Sequence, residues 1–263
     1  MKDILIIVGS QRSGTTLLNK TLEKYGNIKT FGEIFHHMAG LDEDKGRFFA
    51  FKKKLLLKNN DLFMPTPENQ EKIWEKYVSE HVFKKANDKV PLLDIKYNSW
   101  HHLDPIWKYV DTKPYLLSLI ENNINYKLIH VVRKNIFLQA CSQVRALNTG
   151  KYHSFQPGNT LEDKVYIDPK EVLRFMNIYK TYEKKFDVYL STNKNVVKLY
   201  YEDISDVHLF NTEVRKRLEK ISIVVDEIKS YPMKKVSPHP KEWIENYEEL
   251  IECLLQNNYI EYV

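Results

Sequence analysis

"ILIIVGSQRSGTTLL", residues 4–18, decides the fold. ILIIV (4–8) is an unbroken apolar run rich in β-branched residues, as in a strand buried on both faces of a parallel sheet. Gly9 and Gly14 then bracket four residues. That is the spacing of a turn whose backbone amides converge on an anion at a helix start. After Gly14, the residues Leu17, Leu18 and Leu22 fall at helical spacing, and Gly26 stops the run. Strand, glycine turn and helix in this order open a βαβ unit. A nucleoside triphosphate loop places lysine directly after the second glycine, followed by a hydroxyl for magnesium. Here Thr15 and Thr16 follow Gly14, and the cation comes earlier, at Arg12. A guanidinium in that place suits two oxygens of a sulfonate or phosphate at once.

Outward from this stretch, strand and helix patterns alternate. IKTF (28–31), VPLLDIKY (90–97), YKLIHVVR (126–133) and NVVKLYYEDI (195–204) read as strands. KPYLLSLIEN reads as a helix, and further helices are expected from Asn135 and from Asp168–Pro169. HPKEWIENYEELIECLLQNN reads as one amphipathic helix. PGN (157–159) marks a loop. Residues 38–90 are polar, lysine-rich and helical in pattern, with Thr66 as cap and Pro67 at the first position of a helix. They form a helical insertion expected to shape the acceptor site. No internal repeat or linker interrupts the chain. The pattern predicts a single α/β domain over 1–263, a P-loop-like three-layer fold with a central parallel sheet flanked by helices.

Hydrophobic residues make up 43% of the 263, enough for a large core. The net charge of +5 is interleaved along the chain rather than gathered in a basic stripe with aromatics. This fits a small anionic ligand and predicts no nucleic-acid partner. Cys141 and Cys253 stand far apart, without disulfide or metal spacing, so no metal is expected. No apolar run is long enough for a secretory signal or a bilayer span. The expectation is a soluble cytoplasmic protein without a transmembrane segment.

The QRSGTTLL stretch resembles the phosphosulfate-binding loop of the sulfotransferases, which use 3′-phosphoadenosine 5′-phosphosulfate (PAPS) and release 3′,5′-bisphosphoadenosine (PAP). The match is closest to the bacterial carbohydrate branch. The resemblance implies that Gln11, Arg12, Ser13, Gly14, Thr15 and Thr16 hold the 5′-phosphate, with Arg12 beside the bridging oxygen. The family's second signature is an arginine at a strand end and a serine eight residues on, which bind the 3′-phosphate. Eight residues from Arg133 stands Cys141; Ser142 is eight from Lys134. Arg133 and Ser142 are therefore the implied pair, with Lys134 as the alternative cation. LYYEDI (199–204), SPHPKEWIENYEEL and TGKYHS (149–154) are similar to further family stretches that read as scaffold. Glu202 and Asp203 are expected to act as a helix cap or a salt link.

Sulfuryl transfer to a hydroxyl requires a base at the attacking oxygen and cations at the leaving phosphate. In FGEIFHH (31–37), Glu33 resembles the general base of the carbohydrate branch. Burial would raise its pKa and Arg12 would lower it; the alternative is that Glu33 only pairs with Arg12. His36, His37, His101 and His102 are the rival bases. Asn98 occupies the place of the catalytic histidine of the cytosolic small-molecule branch, and Lys96 matches that branch's lysine at the transferring sulfonate. Phe35, His36 and His37 are candidate acceptor contacts. Phe35, Trp100 and Trp107 either stack on a sugar or lie in the core. The resemblance implies a carbohydrate or glycolipid hydroxyl as acceptor. A P-loop kinase and a non-catalytic binding module on the same fold are the alternatives.

Overall fold

This computed structural model describes residues 3–25, 27–36, 47–105, 112–121, 123–150, 164–205, 210, 212–224 and 240–262. β1 (Ile4–Gly9) is buried at all six positions. It is the middle strand of a five-stranded sheet whose strands pair in parallel, in the order β2-β3-β1-β4-β5. The others are β2 (Ile28–Glu33), β3 (Val90–Lys96), β4 (Tyr126–Val132) and β5 (Val196–Tyr200). Gly9 pairs with Lys96 of β3 on one side and Val131 of β4 on the other. Three strands therefore end at one edge, where ligands bind in parallel α/β sheets.

Alternation along β1 feeds two cores. Ile4, Ile6 and Val8 face one side, which is packed by α2 (Phe48–Lys58), α3 (Pro67–Lys76), α5 (Tyr115–Glu121) and the end of α7 (Pro169–Leu190). Leu5 and Ile7 face the other side, against Leu18 and Leu22 of α1 (Thr15–Tyr25) and Val214 and Leu218 of α9 (Thr212–Glu219). Helices on both faces of the sheet give the expected three layers. A third cluster joins α6 (Ile136–Thr149) to α7 and to α11 (Tyr247–Gln256). His130 of β4 is buried between the Tyr97 hydroxyl at 2.5 Å and Asp187 of α7 at 3.4 Å, which ties α7 to the sheet.

In the described part of the insertion, Thr66 Oγ1 accepts from the Asn69 amide and caps α3 as expected. A π-helical turn, Tyr77–Val82, carries α3 into α4 (Phe83–Ala86). Asn135 and Asp168 likewise cap α6 and α7. Leu147, near the end of α6, is 50% exposed although apolar.

Two expected elements are divided. NVVKLYYEDI is strand only to Tyr200; Tyr201–Ile204 forms a short helix, α8, closed by the Ser205 amide on the Tyr201 carbonyl. The C-terminal helix is split into α10 (Pro240–Trp243) and α11. Asn246 breaks it, because its side chain accepts from the Ile167 amide and donates to the Ile167 carbonyl, both at 3.0 Å. Side chains at such a distance in sequence leave no mark on local helical periodicity. PGN, TGKYHS beyond Gly150, His37 and Trp107 lie outside the described residues.

Phe186 is fully buried and stacks on Tyr97 at 4.6 Å, pinning α7 beside the end of β3. Phe186→Ala is expected to lower stability by about 3–5 kcal/mol, read as a lower urea midpoint with an unchanged slope.

Candidate active site

β1 delivers the chain into the loop at Gly9. A Cβ on Gly9 would lie 2.9 Å from both Ser13 Oγ and the Val131 carbonyl, so side chains are excluded where the loop folds back. Arg12 and Gly14 both have positive φ, 62° and 92°. Alternating backbone hand turns successive amides to one side, which makes an anion nest. For Arg12 this conformation is strained by about 1–3 kcal/mol, a cost that concentrates at functional sites. Ser13 Oγ donates to the Ser10 carbonyl at 2.8 Å, and Gln139 of α6 donates to the Gln11 carbonyl at 2.7 Å. Gln11 donates to Asn98 at 3.3 Å. A Cβ on Gly14 would meet the Tyr201 ring at 2.4 Å, so glycine is required there for contact as well as for φ.

On the β4 side, basic groups gather on the loop. Arg12 Nε donates to Ser142 Oγ at 3.0 Å, and Arg133 Nη1 donates to the Arg12 carbonyl at 3.4 Å. The Arg133 guanidinium lies 4.6 Å from the Tyr201 ring centre, a cation–π contact. Burial lowers both arginine pKa values, and Arg133 is the next cause for Arg12. The Tyr179 hydroxyl, from α7, is buried without a hydrogen-bond partner among the described residues. Burial raises its pKa while Arg12 and Arg133 pull it down. The two neighbours point different ways: Cys141 is buried in the α6–α7–α11 core, and Ser142 faces the loop. Lys134 turns to Asp203 at 3.7 Å and to the Tyr200 ring at 4.5 Å. Glu202 accepts from the Lys134 and Asn135 amides at the start of α6, so it is the cap expected of it.

On the β3 side, Lys96 ends its strand opposite Gly9 and is 4% exposed. Its ammonium donates to both Asp94 oxygens, at 2.8 and 2.7 Å, and to Thr15 Oγ1. Asp94 also accepts from Asn19 of α1 at 3.1 Å, and Asn19 accepts from Thr30 at 2.9 Å. A lysine thus reaches the position after Gly14 from the neighbouring strand instead of from the loop.

Glu33 pairs in register with Asp94, beyond an irregularity between Thr30 and Gly32. Gly32 has φ 61°, so this kink directs the end of β2. Burial raises the Glu33 pKa; Lys96 opposes it, Asp94 adds to it, and His36 and Arg47 oppose it. The expected influence of Arg12 is thus taken by Lys96, and Arg12 is engaged with Ser142. Arg47 donates to the Glu33 carbonyl, and the His36 amide donates to it at 3.3 Å. A cleft of about 600 Å³ opens here, lined by Thr16, Glu33, His36, Arg47, Lys85 and Asp94 among others. Phe35 is 3% exposed and packs edge-on against Phe48 at 4.9 Å, and Trp100 is fully buried. Both take the core alternative. His101 is held by Asp104 at 2.5 Å, and His102 packs on Phe35 and Phe49.

Sequence reading passed over Asp94, Asn19, Tyr179 and Tyr201. Asp94 had a signal, since two residues before Lys96 on a strand means the same face. Tyr201 directly follows the β5 terminus, at the edge where the loop lies. Tyr179 had none, because its place depends on how α7 crosses the sheet. Among the described residues no three His, Cys, Asp or Glu side chains are grouped to hold a metal, and no helix is long and apolar enough to cross a membrane.

The sequence matches the Stf0 sulphotransferase family model over residues 4–249. Among curated proteins none matches. Solved structures with similarity include the sulfotransferase domain of the Synechococcus PCC 7002 olefin synthase, at 18% identity and TM-score 0.42 over 86% of this chain and 76% of that one. The sulfotransferase domain from the curacin biosynthetic pathway aligns at 12% identity and TM-score 0.45, over 86% and 76%. Mouse sulfotransferase SULT7A1, solved complexed with PAP, aligns at 13% and 0.43, over 86% and 61%. The matched segment runs from the first residue of β1 into α11 and takes in the loop, Arg12, Arg133 and Glu33, so the chain belongs to the Stf0 sulphotransferase family.

Proposed function

We propose that this chain is a cytoplasmic sulfotransferase that moves a sulfuryl group from PAPS to a hydroxyl of a carbohydrate or glycolipid. The observation that carries the reading is the convergence of Arg12, Arg133 and Ser142 with the partnerless Tyr179 hydroxyl beside the two arginines. Like charges are brought together inside a fold where an anion offsets their repulsion. The residues fit a nucleotide with separate 3′- and 5′-phosphates: Arg133, Ser142 and Tyr179 serve the first, and Gln11 to Thr16 the second. Both described cysteines are free, as a reducing compartment keeps them.

The donor supplies a sulfuryl group joined to phosphate through an S–O bond that breaks as the acceptor oxygen bonds to sulfur. Glu33 takes the acceptor's hydroxyl proton. Lys96, held by Asp94, and Arg12 stabilise the charge that builds on the bridging oxygen and remains on the leaving phosphate. The loop amides orient that phosphate for in-line displacement. A sulfuryl group carries less charge than a phosphoryl group, so two fixed cations serve where kinases add magnesium. The kinase alternative wants a lysine after Gly14, where the ammonium of Lys96 already sits against Thr15. Asp94, which would be the carboxylate for its magnesium, is paired with that lysine.

PAP without magnesium is expected to raise the melting temperature of the protein, by mass action on the folded state. Protection by ATP with magnesium and none by PAP would return the chain to the kinases.

Glu33→Gln is expected to reduce turnover about a hundredfold or more with PAP affinity kept. The acid limb of the parent's pH–rate profile should lie above the ordinary carboxylate value of 4.5 and vanish in the variant. The folded carboxyl holds its proton to higher pH than the unfolded one, so the parent loses stability as pH rises from 4.5 through the raised value. The variant should therefore melt higher than the parent at neutral pH and alike below 4.5. Full activity in the variant would move the base to a histidine.

Tyr179→Phe removes one hydroxyl and no ring. It is expected to weaken PAP binding about tenfold, the size of a hydrogen bond to a charged group, with the melting temperature of the free protein unchanged or higher. Unchanged titration of PAP by calorimetry would remove Tyr179 from the site.

A further inference from the structure

The insertion between β2 and β3 carries a surface that the transfer chemistry does not use. On α2 the exposed residues are Lys53, Lys54, Leu57 and Lys58. Leu57 is 75% exposed and has Lys53 and Lys54 one turn before it, at i−4 and i−3, which are surface neighbours on a helix. The chain then makes a tight turn and displays Phe63 and Met64, 78% and 59% exposed. This display is built in. Leu62 is buried as an inward anchor, the Phe63 amide donates to the Asn60 carbonyl at 3.0 Å, and Asn69 of α3 donates to the Asp61 and Met64 carbonyls at 2.8 and 2.9 Å. Three large apolar side chains within eight residues are thereby held in water, where each costs free energy unless something covers it.

The charge on the α2 side of the turn is one-sided. From residue 47 to 60 the chain has Arg47, Lys52, Lys53, Lys54 and Lys58 and no acid; Asp61 and the exposed Glu68 and Glu71 follow toward α3. The basic surface continues to the cleft beside Glu33. Lys54 and Lys85 both lie near enough to His81 to lower its pKa after burial has done so, and Lys85 lines the cleft with Arg47.

We propose that the α2–α3 turn docks this protein on an anionic lipid bilayer, with Leu57, Phe63 and Met64 entering the interface and Lys53, Lys54 and Lys58 meeting lipid headgroups. Protruding apolar tips beside a row of long cationic side chains are the pattern of interfacial binding. Anionic headgroups complement the charge, and the acyl boundary covers the apolar tips. A protein partner is less well matched, since the tips project from a turn and do not line a groove. The same insertion supplies Arg47 and Lys85 to the cleft. The acceptor this implies, a sugar hydroxyl carried on a lipid, rests on the transferase reading; the docking does not.

The test is flotation of the full chain with vesicles of phosphatidylcholine alone and of phosphatidylcholine mixed with phosphatidylglycerol, without donor or acceptor. The chain should float with the anionic vesicles, stay behind with the neutral ones, and be released by salt. Combined Lys53→Glu, Lys54→Glu and Lys58→Glu should weaken binding by about tenfold or more, since each cation near such a surface counts about fivefold. Leu57→Ser with Phe63→Ser should do the same at unchanged net charge, with circular dichroism melting checking that both variants fold. The proposal is overturned if the chain binds neutral vesicles equally well, if it floats with neither, or if both variants float like the parent. It is equally overturned if Leu57 and Phe63 instead mediate a concentration-dependent dimer that ignores vesicles, which gives the patch to a second copy of the chain. PAP protection measured in parallel stands or falls separately, so failure of docking is not mistaken for failure of the transferase reading.

Discussion

Parallel pairing of β1 with both β3 and β4 is the constraint on which the site depends. It sets Gly9 level with Lys96 on one side and with Val131 on the other, two residues before Arg133. Because a strand's side-chain period is two, a one-residue slip would turn Lys96 out of its place and put Ile95 there. The slip is resisted on both faces at once. Ile4, Ile6 and Val8 fill one core and Leu5 and Ile7 the other, so every position of the strand is committed. The same burial that makes β1 easy to read in the sequence is what aligns the chemistry at its end.

The polar groups at that edge are held at a cost. A buried ammonium such as Lys96 is tolerable because Asp94 receives it with two oxygens and Asn19 fills a further site on the carboxylate. Asp94 in turn favours the protonated form of Glu33, its register partner on β2. The pair therefore does two things: it presents a cation to Thr15, and it acts on the Glu33 carboxyl in opposite directions, Lys96 lowering its pKa and Asp94 raising it. Arg12 is strained in φ and faces Arg133, a combination that weakens the free fold. Tyr201 softens it by packing its ring on Gly14 and under the Arg133 guanidinium.

Legibility in the sequence followed the range of the interaction. The loop, β1 and the caps at Thr66, Asn135 and Asp168 were readable because each is fixed by residues within a turn or two of itself. The divided C-terminal helix was not, because Asn246 is claimed by Ile167, 79 positions away. The Ser142 assignment was half readable. Spacing alone pointed to Cys141 from Arg133 and to Ser142 from Lys134, and only the rotation of α6 shows which side chain faces the loop. Glu33 was singled out by resemblance, but the cation acting on it was not legible: Lys96 lies 63 positions on and arrives through β3, whereas Arg12 looked nearer on paper.

The two sides of β1 differ in sign, and that difference orders the proposed reaction. Toward β4 the loop meets Arg12 and Arg133 with a partnerless hydroxyl, a setting that lowers the pKa of cations and favours an anion. Toward β2 it meets Glu33, whose burial and neighbouring Asp94 hold it nearer the neutral acid. An anionic leaving group belongs with the first and a neutral hydroxyl with the second. Lys96 sits between them, touching the loop at Thr15 and acting on Glu33 from the other side. Charge moving from the acceptor oxygen toward a leaving phosphate would travel from the carboxyl side to the arginine side. In the proposed reaction, one fixed ammonium beside that path would lower the energy of the charge-separated transition state more than that of either end, which is the condition for accelerating a transfer instead of merely binding its partners.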